Sequence, residues 1–435
     1  MLLLLGGSLL VIPSAQARAE GQADSGNRDL TRAQSWYFRT RTTAYAYTTA
    51  PKDAVTDKTD HFEFYQYLDG ALSGLAQGKL DLRLSGRFAD DFAFKANPTT
   101  PNRLYSLYLQ YHTSRRGSLR LGRLFVQEGV ANYTMDGLYL ALKPTPRLKL
   151  RAWGGARSPY NMEWEASNLS DETALGAHAI ALLTPWMNLG VGWSYLEHNG
   201  ARAYQKVGAE AALRPARGLR TILRAHYETE SEQWDQAELL AWYKPTPRWP
   251  MLNVQYLDRR QSVEKNTYWE RFLPSLDRVR LARASARYQN AEQWGVEMEY
   301  FGSFVDEFAQ TRLGGAVLFP YGRLGYSVRL GDAGEENRWY GDLRWRPLNW
   351  WSLSGGAMLS TYALLKDAPE DLERDLVTLY ARSVTRLRDG LNLHLEFQSL
   401  DNPQYSKDLR FLVGIDLAMG RGASSTGLGT GGWLQ

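Results

Sequence analysis

The stretch Leu138–Trp153, LYLALKPTPRLKLRAW, has an apolar residue, mostly leucine, at every second position on both sides of a Pro-Thr-Pro break. A period of two puts alternate side chains on one face of a β-sheet. Proline suits the turn between two strands because it fixes φ and lacks the N–H that a strand ladder needs. The stretch therefore predicts a β-hairpin with one apolar face and one polar, cationic face.

The same hairpin pattern recurs along the chain. The pentapeptide KPTPR stands at residues 143–147 and again at 244–248, each time between alternating segments. We count about 22 such segments, with boundaries defined to about two to four residues. Tight turns, many marked by Pro or Gly, alternate with connections that include all the long loops. Short turns at one end and long loops at the other are typical of outer-membrane barrels.

Composition separates a membrane barrel from the alternatives. The chain has 15 Trp and 25 Tyr but only 14 Phe, and rings with a polar group are favoured at membrane–water interfaces. A mean hydropathy of −0.44 is polar, as expected when only every other strand residue is apolar. With 51 basic and 47 acidic residues, the net charge of +4 argues against a nucleic-acid partner. The absence of cysteine excludes disulfides and thiolate chemistry.

The two termini differ from the alternating region. Residues 1–19 combine an apolar core, Leu2–Ile12, with a small-residue cleavage pattern, which predicts a secretory signal peptide. Residues 20–33 then form a periplasmic leader too short for a plug domain, residues 34–420 the barrel, and residues 421–435 a Gly/Ser-rich tail.

Repeated antiparallel strands also build propellers and sandwiches, but the repeat here has two strands rather than the four of a propeller blade.

We therefore predict an all-β protein, a transmembrane antiparallel up-and-down β-barrel of about 22 strands (range roughly 16–22), with no plug domain, in the bacterial outer membrane. The segment Gly117–Leu138 contains Leu121-Gly122-Arg123 and Asp136-Gly137. It resembles the strand, Gly-Arg, loop, Asp-Gly, strand passage of bacterial porins and alginate-export-type barrels. That resemblance implies a channel for solutes. The chain departs from the family at its end, because the last amphipathic strand is followed by the tail rather than by a terminal aromatic.

If the leucine face meets lipid, the alternating partners line the lumen. Acids share this face with basic residues, so the wall is charged, and arginine favours carboxylates and phosphates. These side chains either bind solutes or pair with one another across strands. The predicted lumen-lining cations are Arg83, Arg87, Arg120, Lys149, Arg151, Arg220, Arg224, Arg323, Arg329, Arg344 and Arg410. The loops Ser158–Glu172 and Asp258–Leu276 are candidates for a constriction.

The sequence favours a non-enzymatic channel for polar or anionic solutes, with outer-membrane lipids around it. We expect no catalytic residue, no metal and no cofactor, because the six histidines show no ligand spacing. One alternative is a scaffold barrel that sheathes a periplasmic partner, such as an export component or an electron-transfer cytochrome. A weaker alternative is a barrel hydrolase built on His394 with Glu396, or on His226 with Glu228.

Overall fold

The computed structural model describes residues 34–49, 59–93, 102–114, 116–158, 164–166, 168–260, 278–305, 308–332, 334–363, 374–401 and 408–421. The predicted signal peptide, the whole of the predicted leader and all of the tail beyond residue 421 lie outside these ranges. The strands are β1 Ser35–Thr49, β2 Thr59–Gly74, β3 Leu80–Asp91, β4 Arg103–Ser114, β5 Gly117–Glu128, β6 Ala131–Thr145, β7 Leu148–Arg157, β8 Glu172–Thr184, β9 Met187–His198, β10 Ala201–Ala216, β11 Leu219–Glu228, β12 Gln233–Tyr243, β13 Met251–Arg260, β14 Arg278–Gln289, β15 Gly295–Val305, β16 Phe308–Phe319, β17 Gly322–Gly331, β18 Glu336–Leu348, β19 Trp351–Tyr362, β20 Arg374–Arg388, β21 Leu391–Asp401 and β22 Asp408–Arg421.

Each strand pairs antiparallel with its neighbours in sequence, and β1 pairs with β22 from Trp36 opposite Arg421 to Tyr47 opposite Arg410. This last pairing closes the sheet, so the prediction of a 22-stranded up-and-down barrel is confirmed. The described residues contain one short helix, Leu75–Gly78, and hence no helical plug. The described residues contain no helix that is long and apolar enough to cross a membrane.

The outer face carries the predicted apolar alternation. Leu121, Val191 and Met298 keep 55%, 60% and 68% of their surface exposed, values that a folded chain in water would avoid over so many large side chains. Leu140 of β6 lies on this face, opposite Leu119 and Ala152 on the flanking strands. Such a surface is suited to contact with lipid, because every second residue of a membrane β-strand faces the lipid and is apolar.

The two ends of the barrel differ in their connections. At one end, which we call the turn end, the strands are joined by tight turns such as 146–147 and 389–390, and the first KPTPR segment forms one of them. The opposite loop end carries every connection longer than seven residues, including 261–277. The first residue of β1 and the last of β22 both lie at the turn end. Short turns face the periplasm in outer-membrane barrels.

One strand boundary departs from the porin-like passage that this segment resembles. The resemblance implied a loop between Gly122-Arg123 and Asp136-Gly137, but β5 continues to Glu128 and β6 starts at Ala131. Only Gly129 and Val130 form the turn between them. On either side of this turn the two strands pair from Arg123 opposite Asp136 to Glu128 opposite Ala131.

Candidate functional site

The eleven predicted cations share one face of the sheet, opposite the exposed leucines. Arg120 alternates with Leu119 and Leu121, and its cross-strand neighbours are Gln110 and Tyr139. The same alternation and register hold for the other ten. In a closed barrel with an apolar outside, this face is the lumen.

Five of the predicted cations are paired with carboxylates on the inner wall. The pairs are Arg151 with Glu128, Arg224 with Glu238 at 2.8 Å, Arg323 with Asp342 at 2.5 Å, Arg329 with Glu336 at 3.6 Å, and Arg410 with Asp408. Four of these pairs join different strands, as the hypothesis of mutual pairing expects, whereas Arg410 and Asp408 lie two residues apart on β22. A guanidinium that is paired with a carboxylate offers little net charge to a solute.

Five others have no carboxylate within 4.0 Å among the described residues: Arg83, Arg120, Lys149, Arg220 and Arg344. Several lie on aromatic rings instead. The Arg120 guanidinium carbon lies 5.6 Å from the Tyr108 ring centre and 5.2 Å from that of Tyr139, and its Nε donates to Gln110 at 3.1 Å. Arg83 donates to the Tyr37 hydroxyl at 3.2 Å. The eleventh cation, Arg87, lies 5.5 Å from the ring of Tyr65.

The charges are distributed unevenly along the barrel axis. All five cations without a carboxylate partner lie within five residues of the turn end of their strands, and we call this set the cation zone. Buried carboxylates concentrate at the other end, where six lie within five residues of the loop end: Glu63, Asp91, Glu228, Asp235, Glu336 and Asp408. Two buried carboxylates near the turn end are paired, Asp81 with His112 at 3.1 Å and Asp416 with Arg39 at 2.5 Å.

A second feature of the lumen is a hairpin that leaves the wall. Residues 124–133 of β5 and β6 pair only with each other, because the ladder with β4 ends at Arg123 opposite Leu107 and that with β7 ends at Met135 opposite Arg157. The last backbone contact with the β7 side is the hydrogen bond from the Ser158 amide to the Thr134 carbonyl oxygen at 2.8 Å. We call residues 123–136 the inner hairpin. Its apolar side chains pack on strands β8 to β10. The buried cluster is Leu124, Val126, Ala131, Tyr133, Met135, Tyr139, Trp153, Ala174, Leu196, Ala203 and Tyr204.

Glycines permit both the bend and the docking. Gly122 has φ +128° and lies opposite Gly137, where an added Cβ would meet the Gly154 carbonyl oxygen at 2.3 Å. At the tip, a Cβ on Gly208 of the wall would lie 2.4 Å from Val130. The Gly-Arg and Asp-Gly pairs that resemble a porin motif therefore mark the place where two strands turn into the lumen.

An ion pair closes the base of the inner hairpin. Arg123 Nε and Nη2 donate to the two Asp136 carboxylate oxygens, both at 2.7 Å, and Nη2 also donates to the Glu165 carbonyl at 2.6 Å. The Arg123 side chain is only 3% exposed. Such a fork of two parallel hydrogen bonds fixes the relative position of the two strands as well as neutralising the charge.

Glu128 holds the tip against the wall. It accepts hydrogen bonds from the Tyr139 hydroxyl at 2.7 Å and from Arg151, and it lies 3.1 Å from His178 Nδ1. The other nitrogen of His178 lies 3.4 Å from Glu210 on β10. The histidine thus stands between a hairpin carboxylate and a wall carboxylate, and the inner hairpin narrows the lumen from the side of β7 to β11.

The inner hairpin was missed by the sequence reading, which named two loops as candidate constrictions. Most of Asp258–Leu276 and part of Ser158–Glu172 lie outside the described residues, and Trp164 of the latter stacks on Phe88 at 5.1 Å, on the outward alternation of β3. One signal was available: Leu124, Phe125 and Val126 are apolar in succession, which interrupts the alternation of apolar and polar residues in β5. Leu124 and Val126 are buried under the inner hairpin, whereas Phe125 is 43% exposed.

The hydrolase hypothesis gains no geometric support. Glu396 accepts hydrogen bonds from Arg382 at 2.6 Å and from Gln398 at 2.5 Å, and it makes none with His394. Glu228 accepts from the Gln205 amide at 3.0 Å rather than from His226. In the described part of the chain, neither histidine contacts a serine hydroxyl of the kind that a Ser/His site requires.

The geometry defines the class of protein: the chain is a transmembrane β-barrel of the bacterial outer membrane, with an apolar outer belt and a charged lumen.

No protein-family model matches the chain, and no curated protein sequence matches it. Solved structures of similar architecture include a BenF-like porin from Pseudomonas fluorescens Pf-5, at 10% identity and a TM-score of 0.41, covering 90% of this chain and all of that one. OccK9 (OpdG) of Pseudomonas aeruginosa is 13% identical with a TM-score of 0.45, covering 91% and 100%. The translocation pore of the P pilus usher PapC is 12% identical with a TM-score of 0.49, covering 90% and 100%.

Proposed function

We propose that the barrel is a porin-like channel for small polar solutes, with a preference for anions that carry a carboxylate or phosphate group. The observation that carries this proposal is the cation zone, whose five side chains have no carboxylate partner among the described residues. Fixed charges along a lumen set which ions pass, and unpaired cations raise the local concentration of anions.

The chemistry of the cation zone suits planar anions. Arg120 lies between two tyrosine rings and Arg220 lies 5.7 Å from the Trp242 ring centre, so both guanidinium groups are held by aromatic faces. A guanidinium held in this way keeps N–H donors available for a carboxylate or phosphate. Lysine or arginine already paired with a carboxylate would lack that freedom.

The inner hairpin supports selectivity by size as well as by charge. Because it packs on the inner face of β8 to β10, the open part of the lumen is displaced towards the remaining wall. Of the cation zone, Arg344 on β18 lies on that wall. Solutes passing the inner hairpin therefore meet a fixed positive charge on the opposite side at the turn end.

Single-channel recording in planar lipid bilayers tests the proposal. The wild-type barrel is expected to conduct and to favour anions in a salt gradient. In the double variant Arg83→Glu, Arg120→Glu, the ratio of anion to cation permeability is expected to fall by about threefold or more, because two positive charges become negative.

The matched control neutralises an ion pair whose positive and negative charges already cancel each other. The double variant Arg323→Gln, Asp342→Asn removes one charge of each sign and is expected to leave the permeability ratio unchanged. A wild-type barrel that favours cations would overturn the anion preference. A correctly folded barrel that conducts no ions would overturn the channel proposal and favour the scaffold alternative.

A further inference from the structure

Three polar side chains with metal-binding chemistry meet at the loop end of the barrel. His61 and Glu63 lie two residues apart on β2, and Asp91 is the last residue of β3. One ligand atom from each of the three lies within 4.8 Å of the other two. We call this set the mouth triad. It takes no part in the cation zone or the inner hairpin.

The register of β2 and β3 makes the mouth triad electrostatically unusual. Glu63 lies directly opposite Asp91, and like charges in that position destabilise a strand pair. Both are buried, at 8% and 5% exposure. No lysine or arginine lies within 4.0 Å of the Glu63 carboxylate among the described residues, and Arg410, the cation near Tyr45 and Tyr47, is itself paired with Asp408.

Surrounding groups orient the three side chains. Asp91 Oδ1 accepts from the backbone amides of Phe62 at 3.3 Å and Ala93 at 3.1 Å, which leaves Oδ2 3.0 Å from His61 Nδ1. The two Glu63 oxygens accept from the hydroxyls of Tyr47, at 3.0 Å, and Tyr65. Partners that fix the rotamers of metal ligands are a general feature of metal sites.

We propose that the mouth triad binds one divalent first-row cation of zinc's chemical class through His61, Glu63 and Asp91. The two carboxylates and a neutral imidazole together balance the 2+ charge of such an ion. Bonds of about 2.0–2.2 Å place ligand atoms up to about 4 Å apart, so side-chain movements below about 1 Å suffice. A nitrogen ligand selects such an ion over magnesium or calcium.

The bound ion would join three strands at the mouth. Tyr47 of β1 lies opposite His61, and their rings stack at 4.5 Å with an interplanar angle of 9°. β2 and β3 supply the ligands themselves. Binding to the folded barrel alone raises its stability with ion concentration. This inference does not depend on the proposed channel function.

Equilibrium dialysis of the detergent-folded barrel against zinc chloride, followed by elemental analysis, tests the inference. The wild type is expected to retain one zinc per chain in an excess of magnesium, and its thermal unfolding midpoint to rise with zinc and fall back with a chelator. Cobalt at the same site is expected to give visible absorption bands of a nitrogen- and oxygen-ligated ion.

Substitutions at the mouth triad assign the site. His61→Asn and Glu63→Gln are each expected to weaken zinc binding by at least about tenfold and to abolish the rise in unfolding midpoint. His112→Asn is the matched control, because His112 makes a similar histidine–aspartate contact with Asp81 at 3.1 Å but belongs to no such triad. Folding of each variant is checked by its heat-dependent migration in SDS gels.

Three outcomes would overturn the inference. The first is a folded wild-type barrel that retains no zinc above the level of detergent alone. The second is equal retention by the wild type and His61→Asn, which would place the metal elsewhere. Loss of zinc in His112→Asn as well would likewise reject the mouth triad as the specific site.

Discussion

Replacing Leu140 with arginine is expected to destabilise the folded barrel by about 2–4 kcal/mol, the cost of a cation on the lipid face near the bilayer midplane. Leu140 lies in the middle part of β6 with apolar neighbours on both flanking strands, Leu119 and Ala152. The side chain would have to leave the hydrocarbon or draw water into it. Urea titration in lipid vesicles measures the change in the free energy of unfolding.

The adjacent residue provides the control. Ala141 lies on the inner face, opposite Arg151 of β7, so Ala141→Glu introduces a charge beside a cation and away from lipid. We expect its effect on the free energy of unfolding to be clearly smaller than that of Leu140→Arg. Equal effects at the two positions would contradict the assignment of Leu140 to the lipid-facing side of the barrel and of Ala141 to the lumen.

The second large effect is expected at the base of the inner hairpin. Asp136→Ala removes the carboxylate that accepts two hydrogen bonds from the Arg123 guanidinium, whose side chain is 3% exposed. Removing one partner of a buried ion pair costs about 3–5 kcal/mol. We expect the inner hairpin to detach from the wall, so that hydrogen exchange of amides 124–134 accelerates and single-channel conductance rises.

An exposed pair of the same chemistry serves as the comparison. Arg323 and Asp342 also lie across neighbouring strands of the lumen, but their side chains are 45% and 38% exposed. Asp342→Ala is therefore expected to cost only about 0–1 kcal/mol and to leave hydrogen exchange of the inner hairpin unchanged. If Asp136→Ala behaves in the same way, the ion pair does not hold the inner hairpin in place.

Much of the architecture was predictable because period-two alternation is a local property. Leu138, Leu140 and Leu142 alone indicate a strand with one apolar face, and repetition of that pattern with alternating short and long connections indicates a closed barrel. The same parity placed Arg120 and Lys149 on the inner face, as the register shows. These conclusions need no knowledge of which strands meet.

Contacts between distant strands were beyond that reasoning. The alternation of β5 is interrupted only at Leu124–Val126, and it is the docking of the tip of the inner hairpin on Gly192 and Gly208 that shows that the two strands turn inward. Likewise, the spacing of histidines gave no metal motif, because Asp91 comes to His61 from the next strand. The partners of each lumen arginine depended equally on register.

The sequence by itself therefore determined the strands, the closed antiparallel barrel and the division into a lipid face and a charged face, because each follows from the alternation of neighbouring residues. Only the tertiary structure decided which cations remain without a carboxylate, that the inner hairpin occupies part of the lumen, and that His61, Glu63 and Asp91 meet. Those features depend on strand register and on the close approach that glycine permits, and neither is encoded in a local pattern.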